Sequence, residues 1–253
     1  MMTRSLEGAA SAAPWPRGSR ALHVSARGCA AASLPPLAGQ GAQVAGVPAE
    51  LMDIAVDGVA VRFCRAVGLA RFVDTAALLQ AEDPPEPPYW MHLWPGAVAA
   101  ARLVARVRPG TRVLELGCGL ALPALIAAAR GARVVASDRE RAPLAFARRS
   151  AAATGCRLEL VQMDWSAPGL GGTFDVCVGA DIGYDAAAEA ALVTALARLV
   201  ARGGLVWLAD SVNTARATLT ERLAAHGFAV AVRQAREWED GRPVWVRIIE
   251  ARR

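Results

Sequence analysis

The chain has no lysine: all 28 basic side chains among its 253 residues are arginine. Together with abundant alanine, this reads as coding bias and not as selection for arginine chemistry. Charge of one sign nowhere clusters. The net charge is +5; residues 1–50 supply +2 (four arginines against Glu7 and Glu50), which leaves +3 spread over the other 203 residues. A basic tract that would follow a phosphate backbone is missing, so nucleic acid is not an expected partner. The five cysteines (29, 64, 118, 156 and 177) show no C-x-x-C spacing. They read as small apolar fillers in a reducing compartment, which makes the cytoplasm the expected location. The three histidines, 23, 92 and 226, are too dispersed to suggest a metal site. No apolar run approaches the roughly 18–20 residues of a membrane span. Residues 1–48 nearly lack acids and hold no amphipathic period, and disorder is expected there. A transit segment shares that composition, and a gene start set too early, with initiation near Met52, would leave the same trace.

What is present is concentrated in residues 113–138, VLELGCGLALPALIAAARGARVVASD. A short apolar strand, Val113–Leu116, enters the turn Gly117-Cys118-Gly119. An alanine-rich helix follows and stops at Gly131, and a second strand, Arg133–Ser137, ends on Asp138. Such a strand–turn–helix–strand unit holds a nucleoside: glycines let the backbone approach the ligand and the acid accepts from ribose hydroxyls. Asp138 falls about 20 residues beyond the turn, where that acid is expected. The dinucleotide fingerprint needs glycine or alanine at 122, which is Leu122. No Lys-Ser/Thr pair follows the turn, which excludes a phosphate-cradling loop. Glu115, two residues before the first glycine, suits a ligand with a cationic amino-acid end.

From 113 onward a rhythm repeats. Helices are expected to stop at Gly131, Gly155, Gly203 and Gly227, with a strand following each. The expected strands are Val113–Leu116, Arg133–Ser137, Leu158–Met163, Phe174–Ala180, Leu205–Ala209, Phe228–Gln234 and Val244–Glu250. The first five are apolar, as strands covered on both faces must be. The last two are separated only by residues 238–243, too few for a crossover helix, and must pair antiparallel. The expected fold is α/β, a Rossmann-like doubly wound sheet of five parallel strands with an antiparallel closing hairpin.

The pattern Glu115-x-Gly117-x-Gly119-x-Ala121 resembles motif I of the class I, seven-β-strand S-adenosylmethionine-dependent methyltransferases, with Ala121 in place of the third glycine. The resemblance implies S-adenosyl-L-methionine as cofactor. It implies that Glu115, Gly117 and Gly119 border the methionine end, that Asp138 takes the ribose, and that Asp164, or the backbone beside it, takes the adenine amino group, with Cys118, Arg139 and Ala180 as further cofactor-binding candidates. Trp165 would cover the adenine face. After the fourth strand, Ala180-Asp181-Ile182-Gly183-Tyr184 resembles the D-x-x-Y segment of the protein lysine methyltransferases. Asp181 and Tyr184 are therefore the catalytic candidates: a carboxylate and a phenol can hold an ammonium before its proton leaves.

Upstream, Pro88-Tyr89-Trp90-Met91-His92-Leu93-Trp94-Pro95-Gly96 resembles the entry of the electron-transfer-flavoprotein β-subunit lysine methyltransferases and their bacterial relatives. That places Trp94 near the methionine moiety. The Gly-Asp-Pro-Gly-Arg segment those enzymes carry after strand five is here Ala209-Asp210-Ser211-Val212-Asn213, so the same substrate protein does not carry over. Three regions are expected: the extension 1–48, an N-terminal arm 49–95, and a cofactor-binding domain 96–253. The arm holds a hairpin or an edge-strand extension around Asp57-Gly58 and a Pro-rich linker at 82–88. The expected acceptor is a protein lysine, with a small molecule as the alternative and a non-catalytic cofactor-binding domain as the second. A monomer with no metal and no membrane contact is expected.

Overall fold

Apolar strands that alternate with helices bury both faces only as a parallel sheet with helices on either side. A computed structural model, which describes residues 23–24, 42–73, 87–211 and 218–253, contains that sheet. Its strands are β5 Arg112–Leu116, β6 Arg133–Asp138, β7 Glu159–Gln162, β8 Phe174–Ala180, β9 Val200–Ser211, β10 Ala229–Glu239 and β11 Arg242–Arg252. Their spatial order is β10-β11-β9-β8-β5-β6-β7. Strands β5 to β9 run parallel, while β11 pairs antiparallel with both β9 and β10. The α-helices among the described residues are α1 Pro95–Val104, α2 Leu122–Ala129, α3 Arg141–Thr154, α4 Glu189–Leu199 and α5 Thr218–Ala225.

Alternation along the strands decides which residues meet which helices. Val113, Val176, Val178 and Ala209 pack with α1, α2 and α3 on one face. Leu114, Leu116, Cys177, Val206 and Leu208 pack with α4 and α5 on the other. The chain order turns back between β5 and β8, so the cleft outside the carboxyl ends of those two strands is where a ligand is expected.

Three expectations need correction. Helix α4 does not run to Gly203; it ends at Leu199, and Val200 already has extended backbone and opens β9. Gly203, with φ of +76°, instead turns the chain within that strand, where its N–H donates to the Arg253 carbonyl at 2.8 Å. The closing hairpin is longer than expected, because Trp238–Pro243 and Glu239–Arg242 still pair and leave only Asp240-Gly241 as the turn. Of the two expectations around Asp57-Gly58, the hairpin is present and the edge-strand extension of the large sheet is not. Strands β3 Val47–Val56 and β4 Val59–Ala66 form a hairpin within a separate four-stranded sheet.

That second sheet also contains β1 His23–Val24 and β2 Gln43–Val44, so the expected disorder does not extend through residue 48. The rest of the 1–48 expectation, and most of the Pro-rich linker, lie outside the described residues. The hairpin contributes Ile54, Val56, Val61, Phe63 and Cys64 to the same core as α1, α2 and α3. It docks through polar contacts as well: Cys64 N–H donates to Ser150 Oγ at 2.8 Å. At the hairpin turn, Asp57 Oδ1 accepts from Arg102 of α1 at 2.7 Å. Arg102 Nε also donates to Glu237 Oε1 of β10 at 2.8 Å. One buried guanidinium thereby joins the second sheet, helix α1 and the closing hairpin.

Candidate functional site

The carboxyl ends of β5, β6 and β8 open into one cleft. Every residue proposed from the sequence lines it: Trp94, Glu115, Gly117, Cys118, Gly119, Asp138, Arg139, Asp164, Trp165, Ala180, Asp181 and Tyr184.

The glycine turn forms the floor. Gly117 and Gly119 have φ of +58° and +49°. A Cβ at Gly117 would stand 2.8 Å from Ile182 Cγ2 and 3.2 Å from Trp165 Cζ2, so only a bare backbone fits there. Ala121 departs from expectation. The position requires more than a small side chain, because Ala121 itself is left-handed (φ 60°) and forms the N-cap of α2.

Glu115 is fully buried, and its Oε2 accepts the Ala124 N–H at 2.7 Å. It thus satisfies the start of α2, which has no side-chain cap of its own. Burial, and secondarily the nearby Asp138 charge, push the Glu115 carboxyl up to about 8. Asp138 accepts Gly119 N–H at 2.9 Å and Glu140 N–H at 3.0 Å. Those two bonds fix the acid at the β6 tip and tie it to the glycine turn. Burial raises its carboxyl from its ordinary value, with the backbone N–H bonds opposing. Cys118 is buried, and the same burial raises its thiol well above the range of a reactive cysteine.

Asp164 makes a tight local turn: its Oδ1 accepts both the N–H and the hydroxyl of Ser166, at 2.7 and 2.6 Å. The Ser166 hydroxyl, then its N–H, lower the Asp164 carboxyl from its ordinary value. Trp165 lies half-buried against Gly117 and the α4 side of the core.

Asp181 ends β8 in the left-handed conformation (φ 51°). Its Oδ1 accepts the Ser211 N–H at 2.6 Å, and its own N–H donates to the Ala209 carbonyl at 2.9 Å. A side chain at Gly96, near the start of α1, would run into the Asp181 carboxylate and the Ala209 carbonyl. Asp181 therefore joins β8, β9 and α1 while lining the cleft. Tyr184 is exposed at the mouth. Its ring meets Tyr89 edge-on at 5.7 Å, and Tyr89 meets Trp94 at 6.1 Å. His92 continues the row, 4.6 Å from Trp94, and its Nε2 lies 3.0 Å from Glu239 Oε1 on the closing hairpin. Trp90 is the exception in this segment, its ring packed on Phe146 of α3 at 5.4 Å.

The sequence reading did not select Tyr89, His92, Glu239 or Gly96 as site residues. Tyr89 and His92 were visible in the segment 88–96. Glu239 has no local signal, because a hairpin tip reaches His92 only through tertiary folding. Asp210 is legible in the sequence only as the acid of the segment 209–213 after strand five.

Residues 113–204 match a family model described as a methyltransferase domain. The chain carries a methyltransferase domain. A 58-residue stretch is 45% identical to the histone-arginine methyltransferase METTL23 of Rattus norvegicus, covering 22% of this chain and 26% of that protein. Another match, 32% identical over 127 residues, is to a ubiquinone biosynthesis O-methyltransferase of Rhizobium johnstonii and covers 49% of this chain and 50% of that protein. The chain thus spans about a quarter and about half of the length of these curated relatives. Among solved structures, the magnesium protoporphyrin IX methyltransferase of Synechocystis PCC 6803 is 24% identical with a TM-score of 0.52, covering 62% of this chain and 79% of that one. A 16S rRNA methyltransferase of T. thermophilus is 18% identical with a TM-score of 0.57, covering 81% of this chain and 50% of that one. Both share the fold, which is the seven-stranded methyltransferase sheet.

The cleft of this methyltransferase domain is acidic although the chain is basic overall. Among the described residues, Glu115, Asp138, Glu140, Asp164, Asp181 and Asp185 line it, against Arg139 as the one arginine. That donor set fits a nucleoside carrying a cationic tail and does not suit a pyrophosphate. Among the described residues, no cluster of histidine, cysteine and acids could hold a metal ion, and no helix is long and apolar enough to cross a membrane.

Proposed function

We propose that the protein transfers a methyl group from S-adenosylmethionine to the side-chain amine of a protein lysine. The observation that carries this reading is the juxtaposition at the cleft mouth. The Asp181 carboxyl lines the same cleft as a row of aromatic rings, Tyr184, Tyr89 and Trp94, and the glycine floor. Carboxylate and ring faces together attract a cationic side chain and exclude water around it.

When bound, the cofactor supplies an already activated methyl on a sulfonium. Glu115 and the backbone of Gly117–Gly119 would hold its amino-acid end, Asp138 with Arg139 the ribose, and Asp164 and Trp165 the adenine. The remaining work belongs to the acceptor side. An ammonium entering past Tyr184 is held by the ring faces and Asp181 and gives up a proton, to that carboxyl or to water. The neutral nitrogen, so aligned, would accept the methyl group that the cofactor would supply, and the products would be the demethylated cofactor and a methylated ammonium. Alignment and removal of water are the main contributions such a displacement needs.

The partial match to histone-arginine methyltransferases supports a protein nitrogen as acceptor and admits a guanidinium in place of the amine. The match to a ubiquinone biosynthesis O-methyltransferase supports a second reading, a small-molecule acceptor. A host lysate incubated with labelled cofactor separates them: label in protein, mapped to N-methyl-lysine by mass spectrometry, is the expected result. Label confined to small molecules would overturn the lysine reading.

A further inference from the structure

The backbone that carries Asp181 and Tyr184 is held from the neighbouring strand. Asp210, at the end of β9, is buried, and its Oδ1 accepts two N–H groups of the loop after β8: Ile182 at 2.9 Å and Gly183 at 3.1 Å. In return Asp181 Oδ1 accepts the Ser211 N–H at 2.6 Å. Each acid thus fastens the backbone beside the other. Asp181 sits at φ 51°, a left-handed conformation that aspartate tolerates better than most side chains but that still carries a steric cost, which the N–H bonds help to offset. The fit is closed as well: a Cβ at Gly183 would stand 3.0 Å from Asp210 Oδ2 and 3.4 Å from Leu219 Cδ2. Tyr184 follows directly and lies edge-on to Tyr89.

We propose that Asp210 is a positioning residue for the acceptor side of the cleft, holding residues 181–184 so that the Asp181 carboxyl and the Tyr184 ring face the methyl acceptor. Asp210 does not line the cleft and acts only through backbone N–H groups. An apolar residue would fill its space without the burial and the like charge of Asp181, which push its carboxyl up to about 7. What an apolar residue could not do is accept the N–H groups of Ile182 and Gly183, which would otherwise be buried unmet.

The activity arm of the test rests on the methyl-transfer reading above, and a structural arm does not. The chain has only two tyrosines, Tyr89 and Tyr184. Full-length protein labelled with 3-fluorotyrosine therefore gives two fluorine resonances, assigned with Tyr184→Phe. Asp210→Ala should shift or broaden the Tyr184 resonance and lower kcat about 10²-fold, the scale of a misplaced catalytic group, while cofactor affinity by calorimetry stays as in wild type. Asp210→Asn keeps an Oδ1 acceptor for both N–H groups. It should restore the spectrum and bring kcat to within about tenfold of wild type. A wild-type spectrum and kcat in Asp210→Ala, or an Asp210→Asn as impaired as Asp210→Ala, would overturn the proposal. If Asp210→Ala does not fold, Gly183→Ala presses on the same carboxylate and should move the same resonance; an unmoved resonance with wild-type kcat counts against the proposal. A wild-type protein that moves no methyl group refutes the methyl-transfer reading, and the fluorine comparison still decides the role of Asp210.

Discussion

Asp181 and Asp210 brace each other's strand ends: the Asp181 carboxylate accepts the N–H of Ser211, and the Asp210 carboxylate accepts the N–H groups of Ile182 and Gly183. Two acids are thereby brought close in a buried setting, which costs stability unless the N–H donors compensate. The arrangement explains how a left-handed aspartate can end a parallel strand and still present a side chain to the cleft.

Asp138 is expected to carry cofactor affinity, not the chemical step. Asp138→Ala removes an acceptor from the proposed ribose position and from the Gly119 and Glu140 N–H groups. Calorimetry should show cofactor binding weakened about 10–100-fold, the range of a hydrogen bond to a charged group. Unchanged affinity would remove the ribose assignment.

Ala121 spends its conformation where glycine would not. At φ 60° an alanine carries a steric cost of about 1–2 kcal/mol, partly offset by the greater chain entropy that a glycine loses. Ala121→Gly should stabilise the fold by about 0.5–1 kcal/mol in urea denaturation. A lower midpoint would show that the α2 start relies on the methyl group.

Arg102 should matter to stability far more than its charge alone implies. Asp57, Arg102 and Glu237 come from three separate elements, and the guanidinium is 7% exposed. Arg102→Ala leaves two carboxylates without it and should cost about 3–5 kcal/mol, the cost of breaking a buried pair on one side. A loss below about 1 kcal/mol, typical of a surface pair, would show that Arg102 adds little to the docking of the second sheet.

Glu115 and Asp210 set a pH dependence. Their carboxyls are raised to about 8 and about 7, from ordinary values of 4.5 and 3.8. The fold therefore favours their protonated forms. Their contribution to stability is complete below the ordinary values and is lost as pH rises through 7 to 8. The melting temperature of the ligand-free protein should fall between pH 5 and pH 8.5, and Glu115→Gln should flatten the fall. A melting temperature that climbs over this range would contradict the burial-driven shifts.

Much of this was legible in the sequence, for local reasons. The strand cores, the glycine turn, Asp138 and the stops at Gly131, Gly155 and Gly227 follow from apolar runs and backbone conformations that involve neighbours in the chain. Gly203 was misread because a glycine after a helical pattern cannot show whether the helix has already ended. The second sheet was half legible: Asp57-Gly58 announced the hairpin, but nothing local tells a hairpin which surface it will cover. The same limit hides the Asp181–Asp210 brace, whose partners lie 27 to 30 residues apart. The left-handed conformation of Ala121 was hidden for a different reason: its side chain shows size, and not the φ the turn imposes.

The central claim is that Asp181 serves the methyl acceptor in a cleft that binds the cofactor without it. The most direct test compares wild type and Asp181→Ala for cofactor affinity by calorimetry and for transfer of labelled methyl to protein lysine in a host lysate. The account predicts labelled lysine with wild type, a loss of transfer of about 10²-fold or more in the variant, and cofactor affinity largely preserved. Lost cofactor affinity in Asp181→Ala, or transfer at the wild-type rate, would contradict it.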